Sequence, residues 1–345
     1  MKIINKLNNP LLNIVREFKS ILNKTSTQKQ SHPFWVMVQK ETADHVRSWR
    51  FIILLILIAF TCFGTLYNSM SHLNEALSNS KDPNNMFAFL KLLTATDGSS
   101  LPSYYVFIGF LGPLLGISLG FDAINSEHNN GSLVRVISQP IHRDYIINSK
   151  FTSALIIIST LFFTLSFLFV GFGILVSGLT PSFSEFLRII AFTLLSILYV
   201  AFWLNLSILF SIKFRQAATS ALTSIAVWLF FTIFYQILIN IVAKAFIPSK
   251  GANMAQIFNY KKFFMGIMNI SPNQLFTDAS TTLLIPSIRS LGPLSFSQTQ
   301  RAIPSALSLR DSLIIVWPQL TGLIAATVLC FALSYYLFMK REIRA

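Results

Sequence analysis

Charge is scarce in this sequence. Only 12% of its 345 residues are Asp, Glu, Lys or Arg, about half the ~25% of a water-soluble domain. Hydrophobic residues make up 53%, with 33 Phe among them. A soluble globular domain is excluded, and an integral membrane protein is implied. Cysteine is nearly absent. Cys62 and Cys330 both fall in apolar stretches, which leaves no disulfide framework or thiolate metal site, only two small buried residues. Acidic residues number 13 against 27 Lys and Arg, a net charge of +14. That balance does not point to nucleic acid, because no dense basic stripe is present. The charges sit at the ends and in loops, where they report membrane topology.

Chemical motifs are missing as well. The chain has no G-x-x-x-x-G-K-[ST] phosphate loop and no H-E-x-x-H. His142-Arg143-Asp144 shares letters with a kinase catalytic loop, but Asn148 follows Asp144 one position too early and no Gly-rich loop accompanies it. No catalytic residue, metal or cofactor is expected on this chain. Residues 1–33 lack the unbroken apolar core of a signal peptide. Leu11, Ile14, Phe18 and Leu22 recur there at helical spacing beside Arg16, Lys19 and Lys24, which fits a basic helix on an anionic membrane face or a solvated tail.

What the sequence does have is six apolar stretches of spanning length, roughly 17–25 residues each: 51–67, 104–121, 151–177, 189–212, 217–243 and 312–339. None contains Asp, Glu, Lys, Arg or His. A proton- or ion-driven carrier keeps such groups in the bilayer as its coupling device, so energy is expected to enter from outside the membrane. A membrane-embedded enzyme would lack a base. Six spans place both termini on one face. Of the 27 Lys and Arg, 17 fall on that face, 3 on the short opposite segments and 7 in 244–311. The positive-inside rule makes the terminal face cytoplasmic, and long loops such as 244–311 do not count against it.

The expected fold is all-α: six transmembrane helices, an N-terminal interfacial helix, a short cytoplasmic helix between spans two and three, and a long external loop between spans five and six. Residues 1–33 form a tail and 34–345 a six-span membrane domain. Before the first span, Trp35, Val38, Thr42, Val46 and Trp49 fall three and four apart, with Lys40, Arg47 and Arg50 off the stripe. This reads as a helix in the headgroup layer or as an extension of the first span. In the external segment 244–311, "AQIFNYKKFFMGIM" suggests a short amphipathic or re-entrant helix. Gly112, Gly116 and Gly120 line one face of the second span, for packing within one subunit or as a subunit interface or pathway wall. Asn205, Tyr235, Gln236 and Asn240 are the polar and aromatic candidates for a pathway.

The segment 121–151, "FDAINSEHNNGSLVRVISQPIHRDYIINSKF", carries three acids against three bases, so it is not a polybasic lipid patch. The second span can run on as a polar helix through Asn130, and Gly131 stops it. Ser132 then caps a short helix over Leu133, Val134, Arg135, Val136 and Ile137, which Pro140 ends. A third helix starts near Ile141. The tip is expected to expose Leu133, Val134, Val136 and Ile137 to the cytoplasm, where an apolar surface needs a partner, or to lie on the membrane face.

These residues resemble the permease subunits of type-2 ABC exporters. The family pattern is an acid after span two, Glu-x-x-x-Gly-Thr/Ser-Leu, Ser-x-Pro-hydrophobic-x-Arg and Gly-Lys. Asp122, Glu127, Gly131, Ser132, Leu133, Ser138, Pro140, Arg143 and Lys150 fit it, with Ser149 in place of the usual Gly. The resemblance runs over nearly the whole chain. It implies that the bend is a coupling helix that docks on a separate ATP-hydrolysing subunit, with ATP and Mg on that partner. Glu127 and Arg143 would supply charge contacts that stiffen the bend, and Leu133, Val134 and Ile137 its apolar contact. It further implies two ATPase copies, a second permease copy or homologue, a location in a bacterial or archaeal inner membrane, and export of a lipid-like, amphiphilic or peptide substrate. The alternative is a non-transporting membrane anchor that passes force to an external protein.

Overall fold

The computed structural model describes residues 32–78, 88–94, 102–139, 141–178, 180–246, 253–286 and 307–340. These residues form helices and no strand. The pre-span helix is α1 (Pro33–Val46). Span 1 is α2 (Trp49–Ser78), followed by a short α3 (Ala88–Thr94). Span 2 is α4 (Tyr104–Gly120) and continues through α5 (Asn125–Asn129); α6 (Ser132–Ile137) makes the bend. Span 3 is α7 (Arg143–Ser177) and span 4 is α8 (Phe183–Lys213). Span 5 joins α9 (Ala217–Leu229), a π-helical turn (Phe230–Phe234) and α10 (Tyr235–Ala245). Then come α11 (Met254–Met268), α12 (Pro272–Leu284) and span 6, α13 (Leu309–Lys340). Six of these units are long and apolar enough to cross a membrane. The basic tail helix read at 11–22 lies outside the described residues. We call the end with the termini and the bend the near end, and the opposite end the far end.

Span 4 is the core of the bundle. It packs against spans 2, 3, 5 and 6 and against α12, and it is the most buried span. Small residues set its closest approach. A Cβ on Gly116 would lie 2.7 Å from the Val200 carbonyl oxygen, and one on Gly120 would lie 2.8 Å from that of Leu204. The backbones of spans 2 and 4 therefore meet directly, as small-residue stripes permit. The subunit-interface or pathway-wall reading of Gly112, Gly116 and Gly120 is corrected: span 4 of the same chain occupies that face.

Pro113 adds a second tie. It has no amide N–H, so the carbonyl of Gly109, one turn back, lacks its helical partner. The Tyr199 hydroxyl of span 4 stands 3.0 Å from that oxygen and 2.6 Å from Asn273 Oδ1. Its single proton serves one of the two acceptors. Asn273 Nδ2 in turn donates to Thr232, inside the π-helical turn of span 5.

These contacts fix the depth of α12. Tyr199 lies near the middle of the 31-residue α8, and Asn273 at the start of α12 touches it. At the other end of α12, Arg188 Nη1 donates to the Leu283 carbonyl at 3.0 Å. Eleven helical residues separate Arg188 from Tyr199, about 16 Å at 1.5 Å per residue. Residues 253–286 thus form a helical hairpin that dips from the far end to about mid-bilayer and returns. Of the two sequence readings of 255–268, amphipathic or re-entrant, the re-entrant one fits this hairpin: α12 is buried against spans 2, 4 and 6, while α11 packs on α10 of span 5 and is largely exposed. Sequence periodicity cannot distinguish a re-entrant helix from a surface one. Arg188 also reaches the Leu307 carbonyl at 2.7 Å and Ser312 Oγ at 3.1 Å, which ties the hairpin to span 6. The helical spans extend past the apolar stretches and include charged residues at their ends, Glu185 and Arg188 among them. Glu185 completes the capping box of α8 with Ser182 and accepts from the Phe89 amide at 3.0 Å.

A Gly116→Ala substitution tests this packing. Overpacked sites lose about 1–3 kcal/mol, so the melting temperature in detergent should fall by several degrees. Gly171→Ala in span 3, where an added Cβ meets nothing within 4 Å, should leave it unchanged or raise it.

Candidate functional site: the bend between spans 2 and 3

Span 2 does not run unbroken into the bend. α4 stops at Gly120, and the chain turns through 121–124 before α5 starts. Such a break frees amide N–H groups from the helical ladder. Ser211 Oγ, near the end of span 4, accepts from the Ile124 amide at 3.0 Å and the Asn125 amide at 3.2 Å. Asn129 Nδ2 donates to the Arg215 carbonyl at 3.0 Å. The bend is therefore pinned to span 4 at Ser211 and to the loop after it at Arg215.

A four-charge cluster holds it from the other side. Lys150 Nζ, in the second turn of span 3, donates to Glu41 Oε2 at 2.9 Å and to Glu127 Oε1 at 2.8 Å. Lys40 Nζ lies 2.9 Å from Glu41 Oε1 and 3.5 Å from Glu127 Oε1. Two ammonium groups and two carboxylates balance, and they join α1, α5 and span 3. The Lys150 side chain is only 5% exposed, so water screens this pair poorly. Burial alone would raise the Glu41 carboxyl, but Lys150 first, and then Lys40, outweigh it and hold it below the ordinary carboxylate value. Burial also works against the Lys40 ammonium, and Glu41 overcomes it, so Lys40 is held above its ordinary value. A second pair, Arg50 to Asp122 at 2.6 Å, ties the start of span 1 to the break after span 2, with the guanidinium 5.0 Å from the Phe121 ring.

The short helix is built on this platform. Gly131 takes φ +69, a left-handed backbone that glycine adopts without Cβ strain. Ser132 Oγ donates to the Glu127 carbonyl at 3.2 Å. α6 covers the residues read from the sequence, but its presentation differs. Leu133 is 1% exposed and joins the chain's own core, so its assignment to an exposed apolar tip is corrected. A leucine one residue past the turn packs back under α6 rather than out. Val136 is half-buried and Arg135 exposed. The side chains of Val134 and Ile137, and Pro140 altogether, lie outside the described residues. Arg143 is exposed and makes no ion pair among the described residues. Glu127 takes its contacts from Lys150 and Lys40.

The face of α1 turned to span 3 carries Val38 and Glu41, while Trp35, Val46 and Trp49 are exposed. The apolar stripe read from the sequence is thus the outward one at those three residues. Glu41 was missed because a carboxylate reads as a solvated position. Its signal was that it lies three residues after the buried Val38, on the same helix face.

The pathway candidates do not gather at one place. Asn205 is buried against span 6, with Nδ2 3.5 Å from the Thr327 carbonyl. The Tyr235 hydroxyl donates to the Ile267 carbonyl of α11. Gln236 and Asn240 are exposed on span 5.

A family model described as "ABC-2 family transporter protein" matches residues 35–343, which include all six spans and the whole charge cluster. No curated protein matches the sequence.

Removing one member of a buried ion cluster strands its partners, at a cost of about 3–5 kcal/mol. Lys150→Met should therefore lower the melting temperature more than the double change Lys150→Met with Glu41→Gln does. The sign of the pH dependence follows from Glu41. Its depressed value contributes stability above the unfolded carboxylate range, roughly pH 4–5, which is lost as pH falls through the folded value. The melting-temperature gap between the native chain and Glu41→Gln should hold from pH 7 to about 5 and close in more acid buffer.

Proposed function

The chain belongs to the ABC-2 transporter family, and from this membership we propose that it is the membrane half of an ATP-driven exporter whose nucleotide chemistry resides on a separate subunit. The observation that supports this most is the locked bend. A loop that only connected two spans would not need hydrogen-bonded anchors on span 4 and on the loop after it, and a four-charge tie to α1 and span 3. The bend acts as a lever. Closure of two ATPase subunits on ATP pushes α6, and the platform passes that push to spans 2 and 3 together. Arg135 and the neighbouring surface of α6 face the ATPase, while Leu133 works from within by holding α6 to the bundle.

In this reading the near end is cytoplasmic, and the chain sits in a bacterial or archaeal inner membrane. Two copies, or one copy and a homologue, assemble with two ATPase subunits. Span 5 supports this, because it is the least buried span and exposes Gln236 and Asn240. Polar amides at bilayer depth need a protein or water partner. The cargo is lipid-like, amphiphilic or a peptide. The force-transmitting anchor is less well supported, since much of the segment that would meet an external protein folds back into the bundle.

Arg135→Glu tests the lever without touching the core. The variant should reach the membrane at native levels and should lose transport-coupled ATPase activity in the reconstituted complex by roughly tenfold, the scale of one lost interfacial charge contact. Unchanged coupling would remove α6 from the docking surface.

A further inference from the structure

The far half of span 5 carries a feature that the lever does not use. A cavity of about 260 Å³ lies between α10 and α11. Its walls include Leu238, Val242 and Phe246 from span 5, and Phe263, Phe264 and Ile267 from the hairpin. Two tyrosines also line it, and both hydroxyls are already spent. Tyr235 donates to the Ile267 carbonyl, and Tyr260 donates to the Ala243 carbonyl at 2.9 Å. Both donors are engaged and no polar atom of the wall faces the cavity, so nothing in it recognises a headgroup or a peptide. The cavity opens on the outer surface of the bundle, where Leu238, Val242, Phe246 and Phe263 are exposed. A cavity of ~150 Å³ already admits benzene, so this one takes a length of hydrocarbon.

Its position and shape specify the hydrocarbon. Thr232, tied through Asn273 to Tyr199, marks mid-bilayer on span 5. Phe230 of the π-helical turn floors it, and above that the wall runs along span 5 from Tyr235 to Phe246, about 16 Å at 1.5 Å per residue. That is the depth of one leaflet, half of a hydrocarbon core of ~30 Å. Lys244, exposed at the far end of α10, lies about 18 Å above Thr232, at headgroup level. The slot therefore runs parallel to lipid chains, and Phe246 and Phe263 on its rim are exposed.

We propose that this slot is a binding site for one acyl chain of a phospholipid in the far leaflet, wedged between span 5 and the re-entrant hairpin. The chain completes the packing of the hairpin against the span just above the π-helical turn. This site does not depend on how the bend is coupled to ATP.

Photolabelling tests it. The full chain is reconstituted in nanodiscs containing a phosphatidylcholine with a diazirine on its acyl chain, irradiated without nucleotide, and adducts are mapped by mass spectrometry. Adducts should be at least fivefold denser on Phe246 and Phe263 than on Leu175, an apolar and more exposed residue of span 3. Ala243→Trp, which fills the slot, should remove that excess and leave Leu175 labelling unchanged. Equal labelling of the three residues in the native chain would overturn the proposal, and this readout needs no variant. So would crosslinks from one copy of the chain into another at Phe246, which would make a second copy the occupant. Displacement of the adducts by transported cargo would also overturn it, since the slot would then belong to the cargo path.

Discussion

The Lys150 ammonium sits almost dry between two carboxylates, one on the helix before span 1 and one on the helix after span 2. Neither carboxylate tolerates loss of the ammonium, and the ammonium does not tolerate loss of both. Buried charge of this kind contributes little net stability compared with apolar packing. What it does supply is position. It fixes α1, α5 and span 3 in one mutual arrangement, because any slip strands a charge in a medium that solvates it poorly. Ser211 and Asn129 add neutral bonds that hold the same platform to span 4 and the loop after it. Under the proposed coupling, a push on α6 passes to the spans through these contacts.

The remainder of the bundle follows from close backbone approach. Gly116 and Gly120 bring span 2 onto span 4, and the gap that Pro113 leaves in the helix ladder is met by Tyr199. The same tyrosine meets the tip of the hairpin, and the hairpin meets the π-helical turn of span 5. π-turns recur at functional sites because they interrupt regular helix packing. Span 2, Tyr199, the hairpin and span 5 are thus joined in one run of contacts.

The six spans, the pre-span helix and the short helix of the bend were legible because length, apolar runs and Gly, Ser and Pro punctuation are local signals. The charge cluster was only half legible. Glu127 and Lys150 stood out as motif letters, but their meeting with Glu41 is a long-range contact that no spacing reveals. Leu133 misled because a short helix shows no periodicity to tell its inner face from its outer one. The glycine stripe was visible as a close-packing face, yet nothing local said that the neighbour was span 4 of the same chain. Segment 244–311 was legible only as a pair of alternatives, external throughout or with a re-entrant helix at its centre. Its Pro and Gly content suits an external loop equally well as a hairpin that re-enters the membrane.

If the platform is one rigid body, spin labels at Gln39 on α1 and Asn130 on the bend should keep the same separation, within the width of the native distribution, when the assembled transporter passes from the nucleotide-free to the ATP-trapped state. The separation between Asn130 and Gln236 on span 5 should shift between those states. A Gln39–Asn130 distance that changes with nucleotide, while Asn130–Gln236 stays fixed, would show that the charge cluster opens rather than transmits, and would contradict the account.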